Sequence, residues 1–131
     1  MTVAELIRLT DELHPNQFGD SVKLRWINEI DKSIWHEVIR THEGGEDIEE
    51  PSYSDPASDD VLLAQDPWSR LYPLWMDAKI AYSNHEMMQH DTAASAFNDA
   101  FFEFRNWYNR THMPKMAVSH LHLVDRTGGW R

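Results

Sequence analysis

Hydrophobic residues recur every three or four positions along most of the chain, and this spacing predicts helices. The first such group begins at Val3 and ends at Leu13. Thr2 and Glu5 precede it with the spacing of a capping box, in which each side chain satisfies a backbone N–H of the first turn. A His-Pro pair follows, and the residue before proline disfavours helical backbone. The pattern therefore predicts a short first helix of about three turns.

A second, longer helix is predicted from Asp20 or Ser21, either of which can act as the cap, to about His42. The Gly44-Gly45 pair that follows is typical of a helix end. One face of this helix is apolar and carries Ile27, Ile30, Ile34 and Val38.

Two further helices are predicted in the second half. The third begins near Leu71 to Pro73, because proline is tolerated only in the first turn, and bends or ends around residues 84–86. The fourth ends before Met113-Pro114. Its apolar stripe is expected to be core, and it consists of Phe97, Ala100, Phe101, Phe104, Trp107 and Tyr108. Phe102 lies off the stripe, which hints at a subunit contact.

Three segments do not follow the helical pattern. Residues 43–60 are rich in Gly, Pro, Ser and acids, with almost no apolar side chain to bury, and are expected to form a mobile acidic loop. Val61 to Ala64 is a short apolar run expected to form a brief strand or to dock on the core. Residues 115–131 are expected to form an extended arm, with strand-like alternation from Val118 to Leu123. The predicted fold is thus all-α: a small bundle of about four helices in a single domain, 1–131, with a long acidic loop and a short extended C-terminal arm.

The net charge of −10 is concentrated in one segment. Nine of the 22 acidic residues lie between Glu43 and Asp66, with no Lys or Arg among them. The rest of the chain is nearly neutral and offers no basic stripe, so specific nucleic-acid binding is not expected. The charged N-terminus predicts no secretory signal, and no apolar run is long enough for a membrane span. The chain contains no cysteine, which excludes disulfides and thiolate metal sites.

Eight histidines raise the question of a metal site. His85 and His90 are five residues apart and diverge by roughly 140° around a helix. His36 and His42, six apart, diverge further, and His120 and His122 supply only two ligands on one face of a strand. No metal, cofactor or catalytic residue is therefore predicted, and the chain is not expected to be an enzyme. The rival hypothesis is a metal-binding or hydrolytic enzyme domain in which His85, His90, His120 and His122 converge in the fold.

Three segments together resemble a family of small phage and prophage proteins: LTDELHPNQFGDSVKLRWINEIDKSIWHEVI, DPWSRLYPLWMDAKIAYSNHE and FNDAFFEFRNWYNRTHMP. They are similar to the head–tail connector, or head-completion adaptor, proteins of tailed phages. The resemblance covers about three-quarters of the chain and leaves out the acidic loop and the tail.

The resemblance implies a structural virion protein that docks on the portal and bridges the capsid to tail or neck proteins as a homo-oligomeric ring. It implies no catalytic residue, and it implies a location in the virion and, during assembly, in the host cytoplasm. An acidic loop that faces the lumen of such a ring is expected to repel passing DNA. A host-directed regulator that binds another protein through its Trp-rich helices is the third hypothesis.

Overall fold

The computed structural model describes residues 1–115, and within them the chain forms four α-helices. These are α1 (Val3–Leu13), α2 (Asp20–Ile34), α3 (Leu71–Ser83) and α4 (Met87–Thr111). The prediction of a small all-α bundle is confirmed. Of the predicted arm, residues 116–131 lie outside the described residues, as do the strand predicted from Val118 to Leu123 and the histidines at 120 and 122.

Helix α1 begins with the predicted capping box. The Thr2 N–H donates to Glu5 Oε1 at 2.8 Å, and the Glu5 N–H donates to Thr2 Oγ1 at 3.2 Å. The two bonds satisfy backbone donors that have no partner inside the helix. The helix ends at Leu13, with His14 as its C-terminal cap, as the His-Pro pair predicts.

The N-cap of helix α2 lies one residue before the first of its two predicted caps. Gly19 is the N-cap and makes no side-chain cap bond, while Asp20 is the first helical residue. The predicted capping role of Asp20 or Ser21 is therefore wrong. The Asp20 carboxylate instead lies in the first turn, where its negative charge interacts favourably with the positive end of the helix dipole.

Helix α2 continues into a π-helical turn, Trp35–Ile39, and then reaches the predicted glycine pair. Gly44 has a φ of +87°, a left-handed conformation that favours glycine. Gly45 follows in a short 3₁₀ turn, Gly45–Asp47, packed so closely that a Cβ on it would lie 2.2 Å from the Ile39 carbonyl oxygen. Helical structure ends at Ile39, three residues before the predicted end near His42, and the glycine pair shapes the turn that follows.

Helices α3 and α4 form a hairpin. A 3₁₀ turn, Trp68–Arg70, leads into α3 at Leu71, where the proline pattern predicts its start. The turn between the helices passes through His85, whose φ is +60°. Helix α4 has 25 residues and is about 37 Å long, so it runs the length of the bundle. Within residues 1–115, no helix combines the length and apolar character that crossing a bilayer requires.

The core lies between the inner faces of the four helices. Buried side chains from α1, α2 and α3 meet the predicted aromatic stripe of α4, which is confirmed as core. Phe104, Tyr108 and Ala100 are buried, and Phe97, Phe101 and Trp107 are half-buried against them. Phe102 is 54% exposed, as its position off the stripe predicts.

The acidic segment packs along the bundle, which corrects the prediction of a free mobile loop over residues 43–60. We call residues 48–64 the strap. Tyr53 is buried in the core, and Val61 forms an isolated antiparallel bridge with Thr2. Leu62 and Ala64 are buried, so the apolar run after the acids docks on the core as expected. The prediction of mobility from composition was wrong because one tyrosine side chain and the backbone polar groups of the segment form hydrogen bonds with α2.

Candidate functional site

The predicted histidine candidates do not form a cluster among the described residues. His85 is exposed in the turn before α4. His90 has its Nδ1 atom 3.3 Å from Asp91 Oδ1, and its ring is centred 5.5 Å from that of Tyr82. His36 Nε2 lies 3.0 Å from Glu50 Oε2. In residues 1–115 no three His, Asp or Glu side chains are grouped closely enough to hold a metal ion.

His42 has a defined structural position. It is buried, with Nδ1 2.6 Å from the Val38 carbonyl and Nε2 2.7 Å from Asn109 Oδ1. Its neighbours on either side pair with the chain beyond α4: the Glu43 N–H donates to the Met113 carbonyl at 2.8 Å. His42 therefore joins the end of α2's π turn to the end of α4.

The most unusual buried group is Asp31, on α2. Its carboxylate is fully buried and accepts three hydrogen bonds. The Tyr53 hydroxyl donates to Oδ2 at 2.5 Å, the Leu63 N–H donates to Oδ2 at 3.1 Å, and the Tyr72 hydroxyl donates to Oδ1 at 2.5 Å. Tyr53 and Leu63 belong to the strap and Tyr72 to α3. One carboxylate thus connects α2, the strap and α3.

Burial dominates the electrostatics of this cluster. Desolvation raises the pKa of Asp31, although the hydrogen bonds from Tyr53, Tyr72 and Leu63 act in the opposite direction. Burial also raises the pKa of both tyrosine hydroxyls, and the nearby Asp31 charge adds to the rise. The tyrosines therefore stay protonated and remain donors, which is the state that their two hydrogen bonds to Asp31 require.

One face of α2 holds the strap. Beside Asp31, the Asn28 side chain donates to the Tyr53 carbonyl at 2.9 Å and accepts from the Tyr53 N–H at 2.8 Å. The Lys32 ammonium donates to the Pro51 carbonyl at 2.8 Å, and the Trp35 indole N–H donates to the Ile48 carbonyl at 2.8 Å. The four positions, three on α2 and Trp35 at the start of the π turn, follow the i, i+3, i+4, i+7 spacing of a single helix face. The first part of the strap backbone, residues 48–53, is thus satisfied by side chains, whereas Ser58, Asp60 and Leu62 bond to the backbone of residues 1–4.

The sequence analysis did not identify this cluster, although a signal was present. Asp31 lies four residues after Ile27 and three before Ile34, so it interrupts the apolar face of its helix. A carboxylate at such a position has to find buried donors. The pattern of α2 alone could not supply them, because they come from residues 22 to 41 positions further along the chain.

An exposed apolar surface lies where α3 turns into α4. We call it the corner surface and define it by Met87 and Met88, at the start of α4, together with the groove beside Met88. Met87 is 49% and Met88 83% exposed. The groove has a volume of about 460 Å³. Small side chains of α4 leave this space open, and its lining includes His14, Leu74, Ala81, Met88, Ala93 and Ala96.

The arrangement can bind a partner through apolar contact. Exposed methionines adapt their shape to the surface that they meet, and a groove between two rigid helices suits an inserted side chain or helix. Comparisons with protein-family models, with curated proteins and with solved structures found no match to this chain.

Proposed function

We propose that this chain is a head–tail connector of a tailed phage or prophage, an adaptor without catalytic activity that works in the virion. It docks on the portal, bridges the capsid to tail or neck proteins, and assembles as a homo-oligomeric ring. The sequence resemblance supports this function, and the corner surface is the observation that carries it. In such a ring we expect the exposed acids of the strap to face the lumen and to repel DNA rather than bind it.

The corner surface supports docking on another protein because its apolar side chains are exposed together. Burying one large apolar side chain contributes about 1.5–3 kcal/mol. Met87 and Met88 are exposed next to each other at the start of α4, and Met88 lines a groove that extends the contact area. Loss of one anchor of this kind typically weakens an interface by at least about tenfold. We propose that the portal contacts this end.

Copurification with a portal protein from the same phage or prophage tests the proposal. The Met88→Glu variant introduces a charge into the corner surface, and we expect it to weaken portal binding by at least about tenfold, because the charge must be desolvated at the interface. Met113→Glu is the matched control. Met113 is 57% exposed and lies beyond the opposite end of α4, so the same substitution there is expected to leave binding unchanged.

The possible outcomes distinguish the connector function from the docking site proposed for it. Absence of portal binding by the unmodified chain overturns the connector function. If Met113→Glu abolishes portal binding and Met88→Glu leaves it intact, the connector function stands. The corner surface is then not the docking site. Both substitutions are at exposed positions and are expected to change stability by no more than about 0.5 kcal/mol, which circular dichroism melting checks.

A further inference from the structure

The groove of the corner surface lies between α3 and α4 and has the length of a short helix. Its lining residues recur every three or four positions on both helices: Leu74, Asp77 and Ala81 on α3, and Met88, Thr92 and Ala96 on α4. The stretch of α4 that lines it is about 12 Å long, so a helix lying in this space contacts it over about two turns. We call the space the corner groove.

Small side chains leave room for a helix backbone in the corner groove. An incoming helix can approach α3 and α4 closely because three of the lining residues are alanines. These are Ala81, Ala93 and Ala96. Helix α1 leaves the groove uncovered, because it ends at Leu13 and contributes only its C-cap residue, His14, to the described lining. The groove, whose lining is mostly apolar, thus fits a helix with one apolar face.

Asp77 gives the corner groove a charge preference. Its side chain is 39% exposed and carries the one carboxylate of the described lining, which contains no Lys or Arg. Oδ1 lies 3.4 Å from His14 Nδ1, whereas Oδ2 has no hydrogen-bond partner within residues 1–115. The basic residue nearest in the chain, Lys79, lies about 200° further round α3 and pairs with Glu29 at 3.2 Å. A cation brought to the groove is therefore attracted, and a carboxylate is repelled.

We propose that the corner groove binds a basic amphipathic helix of a partner protein. Apolar residues of that helix, spaced i, i+4 and i+7 over about 10 Å, enter the groove between α3 and α4. A Lys or Arg beside them pairs with Oδ2 of Asp77. The proposal rests on the connector function only in taking the portal as the protein that supplies the helix, and it states which kind of portal segment docks here.

Two synthetic peptides test the charge preference without portal protein. Both have about 18 residues, with Leu at i, i+4 and i+7 on an Ala-rich background that favours helix. They differ only at the positions that flank the Leu residues, which are Lys in one peptide and Glu in the other. Each carries fluorescein, and its binding to the natural chain is measured by fluorescence anisotropy. In about 50 mM salt, which screens an exposed charge pair only partly, we expect the Lys peptide to bind at least about fivefold more tightly.

Substitutions in the chain test whether the corner groove causes this preference. Asp77→Lys is expected to remove it. Asp91→Lys is the matched control, because it makes the same change in net charge at an exposed position of α4 outside the lining, and it is expected to keep the preference. Ala93→Trp fills the groove and is expected to weaken binding of both peptides at least about tenfold. Ser95→Trp, at an exposed position about 200° round α4 from Ala93, is expected to leave binding unchanged. Circular dichroism melting checks that the four variants fold.

Three results overturn the proposal: absence of binding by the Lys peptide, equal affinities of the two peptides, or binding that Ala93→Trp leaves unchanged. If Asp91→Lys removes the preference and Asp77→Lys keeps it, the preference comes from the overall charge of the chain. The assignment of Asp77 as the partner of the cation is then overturned.

The portal is tested separately, by adding an excess of the Lys peptide to the copurified complex. We expect the peptide to release portal protein from the natural chain. If the chain binds the Lys peptide and no portal protein, the connector function fails and the proposed ligand chemistry of the groove stands. If the chain binds portal protein that the peptide does not release, the connector function stands and the portal is not the source of the helix.

Discussion

Replacing Asp31 with alanine is the sharpest test of how this fold is held together. The substitution removes the acceptor of three hydrogen bonds, from the Tyr53 hydroxyl, the Leu63 N–H and the Tyr72 hydroxyl. Tyr72 is fully buried, so its hydroxyl has no access to water in the folded state. Tyr53 lies closer to the surface and regains water more easily.

The expected cost follows from these three donors. A buried donor left without an acceptor costs about 1–3 kcal/mol. We place Tyr53 at the lower end of this range, and removal of a buried carboxylate returns part of the loss. The free energy of unfolding is therefore expected to fall by about 3–5 kcal/mol. This is a large part of the roughly 5–15 kcal/mol that stabilises a domain of this size.

Urea unfolding followed by tryptophan fluorescence measures the effect. With an m-value of about 2 kcal/mol per molar urea, the midpoint is expected to move down by roughly 2 M. Asp99→Ala is the control, because Asp99 is exposed on α4 and its loss is expected to change stability by no more than about 0.5 kcal/mol. Equal midpoints for the two variants would refute the assignment of Asp31 as the group that joins the strap to the helices.

The pH dependence gives an independent check. Burial raises the pKa of Asp31 in the folded state, whereas the unfolded carboxyl titrates near about 3.9. The folded state therefore binds this proton more tightly. The stabilising contribution is complete below about pH 4 and is lost as pH rises through the folded pKa. The stability of the natural chain relative to Asp31→Asn is thus expected to decline from pH 4 upward. A relative stability that rises with pH would show that the hydrogen bonds to the ionised form outweigh its burial.

Two further substitutions test local packing by the same unfolding measurement. Gly45→Ala is expected to lower the free energy of unfolding by about 1–3 kcal/mol, because the added Cβ would lie 2.2 Å from the Ile39 carbonyl oxygen. Gly19→Ser is the control, since the site at Gly19 is open and accepts the side chain without loss. An unchanged stability of Gly45→Ala would contradict the close packing. Asp11→Ala is expected to cost about 2 kcal/mol, because it leaves the buried Lys23 ammonium with only the Phe18 carbonyl as partner. If 1 M salt lowers the free energy of unfolding of the natural chain by the same amount, the Asp11–Lys23 pair is instead a surface interaction that salt screens.

The helices could be predicted because their signals are local. The capping box at Thr2, the glycine pair after α2 and the proline near the start of α3 each act within one or two turns of the chain. The aromatic stripe of α4 has the period of a helix, so its burial could be predicted from the sequence alone. The exact cap of α2 could not, because several polar residues compete within two positions of its start.

The strap could not be predicted because its order depends on contacts between distant residues. Its composition favours disorder, and that argument counts only what the segment itself can bury. The side chains that hold it, Asn28, Asp31 and Lys32 of α2 and Trp35 of the π turn, were visible in the sequence, but their spacing indicates nothing about the strap until the strap is placed beside them.

The polar face of α2 explains why an acidic segment can lie against an apolar bundle at all. A segment with nine acids and no compensating Lys or Arg gains little from burying its own side chains. Its backbone polar groups must nevertheless be satisfied wherever they approach the core. The Asn28, Lys32 and Trp35 side chains supply donors for the strap carbonyls, and Asp31 accepts the Tyr53 hydroxyl beneath them. Acids such as Asp55, Asp59 and Asp60 therefore stay exposed to solvent while the backbone beside them is held against the bundle, so the segment can be ordered without burying its charge.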